Sequence, residues 1–189
     1  MLATILIFPF SASAGKPLDA LRGHVTEVVD LLHDPSLKGE TGKETKKARM
    51  RTISEKMFDF AELSKRTLGQ NWSKLNSRQQ KEFMDLYRSL LENLYADRIL
   101  TYKDEKIVFS KEDTLSEKTV EVQTMILTKK GDIPIHYKMI QKQGEWRVYD
   151  VVIEGVSLIN NYRTQFREIL SNKSPDSLID SLRKKVGRV

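Results

Sequence analysis

The three histidines, His24, His33 and His136, are the first side chains to test for metal or acid–base chemistry in this chain of 189 residues, which has no cysteine. None stands in an HExxH pair, and His24 and His33 fall on or near one N-terminal helix, away from any carboxylate cluster. No metal site is predicted. Without cysteine there is no thiolate nucleophile, no disulfide framework, no CxxC zinc site and no Cys-ligated iron–sulfur cluster. Gly155-Val156-Ser157 starts like the nucleophile elbow of a hydrolase, but position 159 is Ile where the motif needs Gly, and no histidine follows to act as the base. Neither GxGxxG nor GxxxxGK[ST] occurs, which removes the usual cradles for nucleotide phosphates. Asp150 and Glu154 flank a strand end, where acids cap or pair more often than they form the carboxylate pair of a glycosidase. No catalytic residue is assigned.

Charge is the next source of chemistry. There are 32 Lys plus Arg against 26 Asp plus Glu, a formal net charge of +6. That favours anionic partners without selecting among nucleic acid, lipid and acidic protein. The strongest positive cluster is Lys46, Lys47, Arg49, Arg51 and Lys56. A module that reads single strands displays aromatic residues among its cations, and this stretch carries only Met50, Ile53 and Met57 on its other side. It reads as a solvated helix face, and nucleic acid is not expected as a partner. Arg98 falls near the middle of an apolar helical stripe, where a cation needs a carboxylate, a carbonyl or a phosphate.

The elements that must position these residues follow from periodicity. Leu2 to Phe10 is an uncharged apolar run, too short to span a bilayer, and Ala12-Ser13-Ala14 supplies the small residues that signal peptidase accepts. Residues 1–14 are expected to be an export leader cleaved before Gly15, although the usual basic start is missing. The other reading is a simple hydrophobic N-terminal strand or anchor. The remainder, residues 15–189, is expected to be one domain.

Pro17 opens a helix through Leu32, ending before Pro35. Leu37 to Lys47 is polar with Gly39 and Gly42, and helical spacing resumes at Met50. Asp59 and Glu62 cap a short helix stopped at Gly69. Ser77 and Gln80 resemble a second capping box, opening a long helix whose apolar residues from Phe83 to Ile99 cover about half its circumference. The period then changes to two. Strands are predicted at Ile107 to Phe109, around Val120 to Ile126, at Ile133 to Gln141 and at Trp146 to Ile153, joined by short turns into an antiparallel meander. Helical spacing returns after Gly155, and Ser174-Pro175-Asp176 opens a last helix. Helices, meander, then helices give an α+β class: a curved antiparallel sheet wrapped by long helices.

The run Trp146-Arg147-Val148-Tyr149-Asp150-Val151-Val152-Ile153-Glu154-Gly155-Val156-Ser157-Leu158-Ile159-Asn160-Asn161-Tyr162-Arg163-Thr164-Gln165-Phe166 closely resembles the signature of the MlaC family, also called the toluene-tolerance periplasmic phospholipid-binding family. Phe58-Asp59-Phe60, Arg66-Thr67-Leu68-Gly69 with Trp72, and Phe83 with Leu90, Leu91 and Tyr95 are similar to that family too. The resemblance departs mainly at Lys43 to Arg51 and Lys118 to Lys130.

The resemblance implies a monomeric periplasmic carrier of Gram-negative bacteria with an apolar lipid cavity between sheet and helices. Phospholipid would be its cargo, with no cofactor and no enzymatic activity. The partners implied are an outer-membrane lipoprotein complex and an inner-membrane ABC transporter with its substrate-binding ring. Within that resemblance, spacing assigns the cavity lining to Phe83, Tyr87, Leu91, Leu94 and Tyr95 of the long helix and to Val122, Ile126, Tyr137, Met139, Val148 and Val152 of the sheet. Tyr162 and Phe166 close it, and Arg98 is the candidate phosphate partner at the mouth. The rival reading is a small-molecule isomerase on a cone-shaped α+β fold with Asp150 as general base; such a site needs convergent polar groups where an acyl-chain cavity needs none.

Overall fold

A computed structural model describes residues 16–187, so the expected leader at residues 1–14 lies outside the described residues. Helix α1 (Pro17–His33) begins with proline in its first turn and buries Leu21 and Leu31. Helix α2 (Gly39–Met57) starts earlier than its polar sequence suggests and takes in both Gly39 and Gly42. The reason is a close approach: a Cβ on Gly42 would meet the carbonyl carbon of Leu37 at 2.4 Å. Only glycine lets the preceding turn lie so near the new helix.

The basic face of α2 is an ion-paired surface. Lys47 pairs with Asp97 at 3.2 Å, Arg51 with Glu92 at 3.0 Å and Arg49 with Asp34 at 3.5 Å, while Lys46 donates to the Leu32 carbonyl. Glu55 of α2 also accepts from Arg88 at 2.9 Å. Among the described residues Lys56 has no such partner.

Helix α3 (Phe60–Leu68) is capped by Asp59, which accepts the backbone N–H of Glu62, and it stops at Gly69 with φ +55°. A 3-10 turn, Gly69–Lys74, leads to the long helix α4 (Ser77–Leu100). Its capping box is Asn76 with Gln79, one residue earlier than Ser77 with Gln80. Gln80 instead donates to the Trp72 and Leu75 carbonyls and ties the 3-10 turn to the helix. Helices α5 (Leu158–Asn172) and α6 (Pro175–Val186) are capped by Ser157 and Ser174. The first turns of α4 and α6 meet through Gln79 and Asp176, and Arg183 pairs with Glu82.

The sheet is the expected meander, with five antiparallel strands in chain order: β1 (Lys106–Ser116), β2 (Thr119–Leu127), β3 (Ile133–Lys142), β4 (Glu145–Ile153) and the two-residue β5 (Val156–Ser157). Strand β1 is far longer than Ile107 to Phe109, because its polar half, Lys111 to Ser116, pairs with β2 through the backbone. At the other edge of β4, Phe58 forms a parallel bridge with Val148, and the Asp59 N–H donates to the Val148 carbonyl at 2.8 Å.

A bulge in β4 sets which side chains face inward. Met139 pairs with Val148, but Lys138 pairs with Asp150, so Tyr149 is the extra residue. Beyond it Tyr137 faces Val151, and Val152 faces His136 on the other side of the sheet. Val152, expected beside Val148 on the interior face, is therefore turned away, and Val151 takes its place.

Two apolar clusters result. One joins α3, α4, α5 and α6 around Leu63, Phe83, Tyr87, Phe166 and Leu178; the other joins the inner sheet face to α1 through Leu21, Val122, Met139, Val148 and Val151. Phe58 and Tyr95 pack against both. Among the described residues no helix is long and apolar enough to cross a membrane.

Candidate functional site

The helix-side wall of the seam between these clusters is aromatic. Phe83 and Tyr87, one turn apart on α4, meet Tyr162 and Phe166, one turn apart on α5, as the four-residue helical repeat requires. Tyr87 contacts Tyr162 edge to face at 5.2 Å between ring centroids and Phe166 at 5.4 Å. Phe83 meets Phe166 edge to face at 5.4 Å. Such pairs add about 0.5–1.5 kcal/mol each beyond the area they bury. The Tyr87 hydroxyl accepts from the Thr67 hydroxyl at 3.5 Å. Burial, which penalises the charged phenolate, pushes Tyr87, Tyr162 and Tyr149 up, and Tyr137 up to about 12. These rings are neutral at any physiological pH.

Of the residues singled out by spacing, Phe83, Tyr87, Leu91, Tyr162 and Phe166 come together in the helix-side cluster, and Val122, Met139 and Val148 in the sheet-side cluster. Tyr137 is half-buried against the sheet-side cluster, and Tyr95 lies between the two. Ile126 is half-buried near the end of β2, opposite Ile107 and Ile133. Leu94 and Arg98 are not brought in. Leu94 is 41% exposed, and Arg98 is exposed with its guanidinium 6.0 Å from the centroid of the Tyr95 ring. The last turns of α4 have left the core there, so the wide stripe does not place Arg98 in an apolar setting. Spacing puts Leu21 on the apolar face of α1 but not in the lining, and it leaves out Val151, Leu158 and Phe58. Phe58 lacks a periodic signal because it sits between two helices; Val151 was hidden by the bulge.

The predicted lining residues pack as two apolar clusters, helix-side and sheet-side, with Phe58 and Tyr95 at the boundary between them. Among the described residues, two surface depressions stand out. One, of about 530 Å³, runs along α4 beside Arg78, Lys81, Glu82 and Leu86. The other, of about 350 Å³, lies at the β3–β4 turn beside Ala20, His24, Lys56, Glu145, Trp146 and Arg147.

Asp150 is buried on the far side of β4. Its carboxylate accepts from the Ser157 hydroxyl at 2.7 Å and from the Ile159 N–H at 3.1 Å, with Lys138 at 4.0 Å. It anchors the start of α5 and lines neither depression. Among the described residues no three His, Asp or Glu side chains gather as a metal site would require.

Comparison with known proteins agrees with this architecture. A solved phospholipid-binding protein from Ralstonia solanacearum, in complex with a phospholipid, superposes with a TM-score of 0.80 over 92% of this chain and 98% of that one, at 19% identity. The toluene tolerance protein ttg2D of Pseudomonas putida is 24% identical over 182 residues, covering 93% of this chain and 83% of the relative. The intermembrane phospholipid transport system binding protein MlaC of Haemophilus influenzae is 27% identical over 122 residues, 62% of this chain and 57% of the relative. The aligned stretch thus spans little more than half of that protein. The family model described as MlaC protein matches residues 22–184, and with most of its length so matched the chain belongs to the MlaC family.

Proposed function

We propose that this protein is a periplasmic phospholipid carrier that moves lipid between the outer membrane and the inner membrane. The observation that carries this reading is the seam itself: two apolar walls, one of aromatic rings and one of sheet aliphatics, side by side in the fold. Acyl chains need such a surface and nothing else, since each buried methylene contributes about 0.8 kcal/mol. Two chains wedged between the walls supply ample affinity while the headgroup stays at the rim. The walls must part to admit them, and Phe83, Tyr87, Leu91, Tyr95, Tyr162 and Phe166 then face Val122, Tyr137, Met139 and Val148 across the cargo.

Residues 1–14 act in this reading as the export leader, and the mature chain works as a monomer. It receives and delivers lipid at an outer-membrane lipoprotein complex and an inner-membrane ABC transporter with its substrate-binding ring. The isomerase alternative is not favoured, because Asp150 is already engaged by Ser157 and the Ile159 N–H and a general base must reach its substrate. The test is native mass spectrometry of the exported, gently purified protein, followed by organic extraction. The expected result is a bound mass of diacyl phospholipid with mixed headgroups; a lipid-free protein that also takes nothing from phospholipid vesicles overturns the reading.

A further inference from the structure

We propose that the depression at the β3–β4 turn is the phosphate subsite of the carrier, formed chiefly by Lys56 and Arg147 with His24 beside them. The inference rests on the carrier reading and adds a location for the headgroup phosphate. The floor of the depression is Ala20 and Trp146, and both pack against the sheet-side apolar cluster. Its rim holds two cations against one carboxylate, Glu145. An apolar floor continuous with the core and a cationic rim suit an amphipathic anion, and about 350 Å³ lies within the range of small-ligand sites.

Of the two rim cations, Arg147 is paired and, among the described residues, Lys56 is not. Lys46, Lys47, Arg49 and Arg51 are engaged within the protein, whereas Lys56, on the same helix, has no ion-pair partner among the described residues. Arg147 is oriented by Glu145, which accepts from its Nη2 at 2.8 Å and its Nε at 3.3 Å, leaving Nη1 to donate elsewhere. A guanidinium so fixed presents its remaining donors to a phosphate oxygen at little further entropic cost. The His24 Nδ1 is buried without a hydrogen-bond partner among the described residues, its nearest acid being Glu27 at 3.9 Å. That nitrogen is closed to solvent, so His24 borders the depression and reports on its occupancy while Lys56 and Arg147 hold the phosphate. A phosphate diester carries one negative charge and several acceptor oxygens whatever its headgroup, so this subsite recognises what all diacyl phospholipids share.

The experiment offers the purified full chain mixed vesicles containing phosphatidylglycerol and diacylglycerol with the same acyl chains, then measures which lipid the protein carries away. The expected preference of the wild type for phosphatidylglycerol is about tenfold, the scale of one charge-assisted hydrogen bond. In Lys56→Gln/Arg147→Gln the ratio falls close to unity, because phosphatidylglycerol uptake drops to the level of diacylglycerol. Arg78→Gln/Lys81→Gln, which removes two cations from the other depression, leaves the ratio unchanged. Should the double variant at the turn fold poorly, the His24 ring resonances of the wild type give the second readout: they shift on loading with phosphatidylglycerol and not with diacylglycerol. An undiminished preference in the Lys56/Arg147 variant, or its loss in Arg98→Gln instead, overturns the proposal. A wild type that carries both lipids without preference refutes the subsite and leaves the carrier intact, whereas one that carries neither refutes the carrier itself.

Discussion

The carboxylate of Asp150 holds the backbone N–H of Ile159 at 3.1 Å, so a strand residue completes the first turn of α5 from outside that helix. The same carboxylate takes the Ser157 hydroxyl, which in turn caps Asn160. One acid thereby fixes the angle at which α5 leaves the sheet, and with it the position of Tyr162 and Phe166. Asp150→Ala is expected to destabilise the fold by about 2–4 kcal/mol, because a buried N–H and a hydroxyl lose their acceptor together. Asp150→Asn, which keeps one acceptor oxygen, costs less. Urea denaturation of both variants checks the order, and equal stability of Asp150→Ala and wild type would show that the contact is idle.

Two glycines make opposite predictions. Gly42→Ala places a Cβ 2.4 Å from the Leu37 carbonyl carbon and should lower stability by about 1–3 kcal/mol despite the better helix propensity of alanine. Gly23→Ala, in exposed α1 with nothing within 4 Å of the added atom, should raise stability by about 0.5–1 kcal/mol. Thermal melts of the pair read the sign directly.

Val148 is 0% exposed at the centre of the inner sheet face. Val148→Phe fills space that an acyl chain would take. Excluding two methylenes lowers affinity by about tenfold, so lipid recovered per folded protein should fall steeply. Extraction and lipid quantitation, with circular dichroism to count folded molecules, provide the measurement. Unchanged lipid content in folded Val148→Phe would remove this position from the lining.

The alkaline limb of stability is set by phenols. Burial raises Tyr137 from 10.0 to about 12, and Tyr87, Tyr149 and Tyr162 also move up. A folded-state pKa above the unfolded one contributes stability that is fully present below pH 10 and is lost as pH rises through the folded value. Denaturation midpoints should therefore hold steady up to about pH 10 and then drop, with tyrosinate absorbance appearing together with unfolding. Tyr137→Phe should make the drop shallower. Tyrosinate absorbance that develops fully at pH 10 in the folded protein would contradict this.

Much of this architecture can be read in the residues. The change of period from helix to strand after Ile99, the turns at Lys130-Gly131-Asp132 and Gln143-Gly144, and the caps at Asp59 and Ser174 all reappear in the fold. What failed did so for local reasons. Asn76-x-x-Gln79 and Ser77-x-x-Gln80 both satisfy a capping pattern, and only the competing bonds of Gln80 decide between them. Gly42 reads as a loop residue until the backbone of Leu37 is beside it. Strict alternation cannot foresee an extra residue at Tyr149, so Val152 was exchanged for Val151. The stripe on α4 is continuous in sequence, but the core ends before the helix does, which leaves Leu94 and Arg98 in solvent.

Phe58 and Tyr95 are the side chains shared by the two apolar clusters, and this has a mechanical meaning. A body with two separate cores joined at a thin boundary behaves like two stiff shells with a built-in cleavage plane. Parting the pair means sliding these aromatic rings off their neighbours against the ties that cross from sheet to helices: Asp150 with the Ile159 N–H, the Asp59 N–H with the Val148 carbonyl, and Lys142 with Asp59 and Glu62. Where the molecule gives way under load is thus decided by its masonry, before any passenger arrives.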